Sequence, residues 1–253
     1  MPTRTVKDNA GDSDPSVLDS LRHELDRYIS QSSSAAVSFV LVTPLLVLYQ
    51  LGLGWTRLEG LNGVDVLTLT IDQHLGPQGA AALNIALILI CGALALRLYR
   101  RDGLNELCVL GVIAESLTWA TLFMILLDAV HSAFPLAIAG SGLERFSRAV
   151  TVSLGAGVHE ELVFRLLLFG APAFALARHT RLPEPAIVLL AALPSTLLFA
   201  GAHHFGLAGE AFSPALFCSR AVAGLLLCGL FRYRGFAVAV YTHVLYDCFV
   251  LLS

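Results

Sequence analysis

The sequence predicts an all-α fold: a multi-pass transmembrane bundle of about seven helices with a short amphipathic helix before it. Of 253 residues, 56% are hydrophobic and only 14% are charged. An ordinary soluble domain carries about 25% charged residues. The mean hydropathy is +0.74, and the apolar residues fall in runs of about 20, the length that crosses a bilayer core. A few of these runs hold ionisable residues near their middle, where charge is costly and normally functional. The net charge of −3 leaves no electrostatic footprint for nucleic acid, which is not expected as a partner. The lipid bilayer is.

Residues 1–34 are polar and lack the apolar core of a cleavable signal peptide. Asp14 suits an N-cap and Pro15 the first helical position. Val17, Leu18, Leu21, Leu25 and Ile29 then recur at helical spacing, which predicts a short helix lying on the membrane surface. A mostly disordered tail is the alternative.

Candidate spans follow at about 35–55, 80–98, 107–127, 148–171, 186–205, 212–231 and 235–252. The stretch between the first two is too mixed to cross and reads as an outer loop with a short interfacial helix. No repeat of fixed period is visible. Orientation follows from positive charge. With a cytoplasmic N-terminus, Arg4, Lys7, Arg22, Arg27, Arg97, Arg100, Arg101, Arg178, Arg181, Arg232 and Arg234 lie inside, and only Arg57, Arg145 and Arg148 lie outside. An odd number of spans then puts the C-terminus outside. The five cysteines form no CxxC pair, lie within apolar runs and read as small buried apolar residues.

Ionisable residues cluster at three places inside the runs. In "GVHEELVFRLLLFG", Glu161 and Arg165 are four apart, with the acid N-terminal, the favourable order for a pair. Glu160 lies about 100° round the helix with no local partner, facing a cavity where desolvation suits a general base. "LLFAGAHHFG" supplies Phe199, His203 and His204, of which His204 reads as a helix–helix hydrogen-bonder. "YTHVLYD" places His243 and Asp247 on one face, where the carboxylate fixes the imidazole tautomer. Glu115 and Arg220, in separate spans, read as a structural ion pair.

These residues resemble the CPBP intramembrane proteases, the group that includes the type II CaaX prenyl endopeptidases. "EELVFR" is similar to the EExxxR motif of that family, and Phe199 to His203 to its FxxxH motif. His243 to Asp247 fits its third motif, a histidine followed four residues later by asparagine, except at the last position. The resemblance covers about residues 146–250 and divides the chain into the polar segment 1–34, accessory spans over 35–145 and a catalytic core over 146–253. It implies an endopeptidase in which Glu160 and His203 activate a water, Glu161 and Arg165 support the site, and His243 with Asp247 stabilise the oxyanion. A carboxylate donates no hydrogen bond unless protonated, so Asp247 is expected to act through His243. No cofactor is expected. Zinc held by Glu160, His203 and His243 is the alternative, although the HExxH helix that supplies two zinc ligands is absent.

Glu160 lies about 12 residues, roughly 18 Å, from the outer end of its span. The cluster therefore tilts to the outer half of the membrane, and the expected partner is an exported or membrane-tethered protein, processed or sorted at its C-terminus. A prokaryotic plasma membrane is the expected location. A scaffold or immunity-type protein that keeps the protease fold without its activity is the alternative function. A proton-coupled transporter is disfavoured by the missing repeat.

Overall fold

A computed structural model describes residues 17–56, 66–104, 106–133, 141–205 and 211–253. The Asp14–Pro15 helix start and the charges of Arg4, Lys7 and Arg57 lie outside the described residues. The elements are α1 (Val17–Ser32), α2 (Ala35–Thr56), α3 (Val66–Asp102), α4 (Glu106–Ala133), α5 (Gly142–Glu160), a π-helical segment (Glu161–Gly170), α6 (Ala171–His179), α7 (Glu184–Ala202), α8 (Pro214–Arg234) and α9 (Phe236–Leu252). The all-α class holds, with no strand among the described residues.

Every predicted span falls on a helix. Ala35–Thr56, Ala81–Arg101, Glu106–Asp128, Glu184–Ala202 and Pro214–Arg234 are long and apolar enough to cross a membrane. The protein is therefore an integral membrane protein. Phe236–Leu252 is apolar but has 17 residues, and the α5–π–α6 rod carries the polar cluster. Only 6% of the apolar window of α3 is buried within the chain, so its Leu and Ile side chains need lipid around them. Gly76 breaks α3 with non-helical angles. Helical turns precede it, in the stretch where a short helix is expected.

The core gathers on α9. This helix packs against α2, α4, α5 and α8, and Ala237, Val238, Ala239 and Val240 are wholly buried. Four consecutive small or β-branched residues, apolar all round, mark a helix enclosed by others. Gly235, at φ 88° between α8 and α9, makes the turn that returns the chain. That turn lies against Ser32 and Ser33 at the junction of α1 and α2. Arg232 pairs with Glu184 at the same end of the bundle. At the opposite end, Arg145 Nη2 donates to the backbone oxygens of Leu251 (3.3 Å) and Ser253 (3.1 Å) and closes α9.

Glu115 pairs with Arg234, which corrects the expected Glu115–Arg220 bridge. Arg234 donates from Nε to Glu115 Oε1 at 2.6 Å and from Nη2 to Oε2 at 2.7 Å. The Tyr28 hydroxyl donates to the same carboxylate at 2.5 Å, and Arg234 also reaches Ser32 Oγ at 3.2 Å. Burial and the Glu115 carboxylate push the Tyr28 phenol above its usual range, so it stays a donor. The network fastens α1 to α4 and to the end of α8. The residues Val17, Leu21, Leu25 and Ile29 remain outward, as a membrane-surface helix requires.

Among the cysteines, Cys108 and Cys228 are buried as expected, and Cys218 is exposed on the outside of the bundle.

Candidate active site

The site is built where α5 gives way to the π-helical segment. Glu160 ends α5 and Glu161 opens the wider turn. Short π-helical stretches are rare and tend to occur at functional sites. Both glutamates are buried, and Arg165, four residues on, is wholly so. Arg165 Nη1 lies 3.2 Å from Glu161 Oε1, as the spacing predicts. Its guanidinium carbon also sits 4.1 Å from the centroid of the Phe199 ring. A buried cation is thus held between one carboxylate and one aromatic face, the two kinds of partner that offset its desolvation. Ser195 Oγ donates to the Phe164 carbonyl inside the π segment at 2.5 Å and ties α7 to it.

α9 approaches this junction because position 157 is glycine. A Cβ there would collide with the Val244 side chain and sit 3.0 Å from the Val244 backbone nitrogen. The close crossing brings His243 against the glutamates. His243 Nδ1 lies 2.7 Å from Glu161 Oε1, so with an ionised Glu161 the proton on Nδ1 is donated and Nε2 faces the other way. Nε2 lies 3.8 Å from Glu160 Oε2 and 3.5 Å from Asp247 Oδ2.

α7 brings the second imidazole. His203 caps the C-terminus of that helix, and its Nδ1–H donates to the Phe199 carbonyl at 2.8 Å. A carbonyl only accepts, so the other nitrogen is the one turned inward. His203 Nε2 lies 3.8 Å from Glu160 Oε2. Phe199 is the hub of this layer: its ring is edge-on to His203 at 5.0 Å, to His243 at 6.0 Å and to Phe164 at 5.3 Å.

The structure therefore brings together Glu160, Glu161, Arg165, His203, His243 and Asp247 from three separate parts of the chain. His159 and His204 stay apart. His159 Nδ1 donates to the Gly155 carbonyl at 2.9 Å and meets Tyr49 edge-on. His204 lies against Phe212 and Phe217. Glu161 has a wider part than the sequence indicates, because one of its oxygens serves both Arg165 and His243. No local pattern signals that second contact, whose partner lies 82 residues away. The side chains of His203 and Asp247 are 26% and 22% exposed, against 5% for Glu160 and His243. Access to the cluster is thus from the side of His203 and Asp247. Among the described residues, no three or more His, Cys, Asp or Glu are grouped as a metal site.

The three motif-bearing segments thus meet in one buried cluster, as the resemblance to the intramembrane proteases implies. The comparison with protein families agrees. The model of the type II CAAX prenyl endopeptidase Rce1-like family matches residues 142–249, which bears out the resemblance carried by the three motifs. Residues 142–249 are thus similar to this family, and the spans before residue 142 lie outside the match. Neither a curated protein nor a solved structure matches the chain.

Proposed function

We propose that the protein is an intramembrane endopeptidase that hydrolyses a peptide bond in a membrane-tethered or exported protein by means of a water activated by Glu160 and His203. The observation that carries this is the convergence of His203 Nε2 and His243 Nε2 on Glu160 Oε2, each at 3.8 Å. That separation exceeds a direct hydrogen bond and suits a single bridging water. Among the described residues Arg165 compensates Glu161, so Glu160 is the carboxylate left to take a proton. Glu161 fixes the ring of His243, and Asp247 flanks its inner nitrogen. No step runs through a metal, in a glutamic-type mechanism.

The proposed orientation has the N-terminus in the cytoplasm of a prokaryotic cell, with the cluster in the outer half of the plasma membrane. The substrate is then cut near the outer face, as in C-terminal processing or sorting. Comparing membrane and secreted proteins in cells with and without this gene tests the proposal. One or more chains should lose their shortened form in cells without it. Identical processing in both would overturn the reading.

A further inference from the structure

Glu160 closes α5, and the face of α5 that leads up to it packs on α2, a span that lies before the family match begins at residue 142. Thr151, Gly155 and His159 recur every four residues and share that face. Opposite Thr151, α2 carries Gly52, where a Cβ would sit 2.9 Å from Thr151 Cγ2. One turn earlier on α2, Tyr49 lies over Gly155, where a Cβ would collide with its ring, 3.0 Å from Cδ2 and Cζ. Tyr49 is wholly buried, and its ring meets the His159 ring edge-on with centroids 5.1 Å apart. His159 is itself tied down, because its Nδ1–H is given to the Gly155 carbonyl at 2.9 Å. One aromatic ring thus touches two positions of the last turn before Glu160.

The other side of the same turn is the Gly157 crossing with α9. Positions 155 and 157 stand about 200° apart on the helix, so α5 is gripped between Tyr49 on one side and Val244 on the other. α2 is fastened to α9 as well. The Tyr241 hydroxyl donates to the Leu41 carbonyl at 2.9 Å, and the Ala237 N–H donates to Ser38 Oγ at 3.3 Å. The ring at position 49 therefore sets how closely the end of α5 lies on α9. Glu160 leaves this turn to meet His203 Nε2 and His243 Nε2, each 3.8 Å from its Oε2. A gap that admits one water tolerates little movement of the helix: a misplacement of about 1 Å can cost on the order of 10²-fold in rate.

We infer that Tyr49 is a positioning residue of this site: through Gly155 and His159, its ring holds the last turn of α5 against α9 and so keeps Glu160 at water-bridging distance from the two imidazoles. This rests on the hydrolase reading. It also makes α2 part of the catalytic unit, although the family match lies wholly beyond that span. The ring makes the contact. Phenylalanine therefore serves at position 49, whereas a smaller side chain there, or a larger one at 155, does not.

The test uses the full chain in liposomes, with a pool of quenched fluorescent peptides bearing an apolar stretch of about 20 residues and a polar tail, and kcat is taken per folded molecule. Tyr49→Leu should lower kcat by about 10- to 100-fold with KM little changed, and Tyr49→Phe should keep most of it. Gly155→Ala should also lower kcat, by pressing on the ring. The decisive arm is rescue. Gly155→Ala and Tyr49→Leu in one chain should turn over at least about threefold faster than Tyr49→Leu alone, since the added methyl group occupies space that the ring gives up. Independently of turnover, the ring-nitrogen NMR signals of His203 and His243 should move in Tyr49→Leu and stay in place in Tyr49→Phe. A Tyr49→Leu protein with wild-type kcat, a rise in KM alone, a Tyr49→Phe protein as slow as Tyr49→Leu, or a double variant no faster than Tyr49→Leu would each overturn the inference. Wild type no more active than Glu160→Gln overturns the hydrolase reading instead. The imidazole signals then decide the placement by themselves: movement in Tyr49→Leu upholds it, and its absence overturns it.

Discussion

Glu161 Oε1 lies 2.7 Å from His243 Nδ1, and the same oxygen is 3.2 Å from Arg165 Nη1. One buried acid therefore joins the α5–π rod to the central helix α9 while it neutralises a cation. Its neighbour Glu160 has no arginine and faces two imidazoles. Two adjacent glutamates of the same chemistry hold different places because a turn of helix rotates them to different neighbours.

That difference predicts opposite effects on stability. Glu161→Gln keeps the shape of the side chain but leaves Arg165, wholly buried, without its anion. Breaking a buried pair from one side costs about 3–5 kcal/mol, so the thermal midpoint of the purified protein should fall by roughly 10 °C. Glu160→Gln removes a buried charge that no arginine offsets, and its midpoint should match or exceed that of wild type. A Glu161→Gln protein as stable as wild type would show that the pair is not what holds the junction.

Activity should follow the reverse logic for Glu160. Glu160→Gln and His203→Ala each remove a partner of the proposed water and should lower cleavage by about 10²- to 10⁴-fold, the range for a general acid–base group, with insertion and folding retained. Peptide turnover in liposomes measures this, and the same assay settles the metal question. Dialysis against a zinc chelator should leave the rate unchanged. A loss restored by added zinc would replace the glutamic mechanism with a metal-dependent one.

Much of this site was legible before the fold was known, and the parts that were not share a cause. Hydropathy located the helices, because a bilayer imposes one length and one polarity on whatever crosses it. The Glu161–Arg165 pair was legible because it is local, four residues apart on one rod. The partner of Glu115 was not, because Arg220 and Arg234 lie on the same helix and only their level in the bundle chooses between them. Arg234, at the end of α8, meets Glu115 and Tyr28, whereas Arg220 lies 14 residues earlier, near the start of the same helix. The π-helical turn at Glu161 was hidden as well: its residues have ordinary helix propensity, and the widening goes with packing against α7 through Ser195.

The crossing of α5 and α9 at Gly157 carries a prediction for geometry alone. Gly157→Ala places a methyl group against Val244, and overpacking of this kind costs about 1–3 kcal/mol. Moving α9 outward lengthens the His243–Glu161 contact, so kcat should fall further than stability explains. Trimming the obstacle with Val244→Ala in the same chain should recover part of both. A Gly157→Ala protein with unchanged kcat and midpoint would mean that the two helices separate without cost to the site.

Topology decides which substrates the cluster meets. The structure puts the α1–α2 junction, Glu184, Arg232 and Gly235 at one end of the bundle, and Arg145 with the C-terminal Ser253 at the other. Each arginine-rich connection described belongs to the first end, and positive charge stays on the cytoplasmic side. Reporter domains fused after Arg101, Arg148 and Ser253 should therefore read cytoplasmic, external and external. His203 ends α7 and Asp247 nears the end of α9, so both lie towards the Arg145 end, the one that a tethered or exported chain would reach in the proposed orientation. A cytoplasmic Ser253 would invert the bundle, expose the His203 side of the cluster to the cytoplasm, and transfer the expected substrates to proteins anchored on that face.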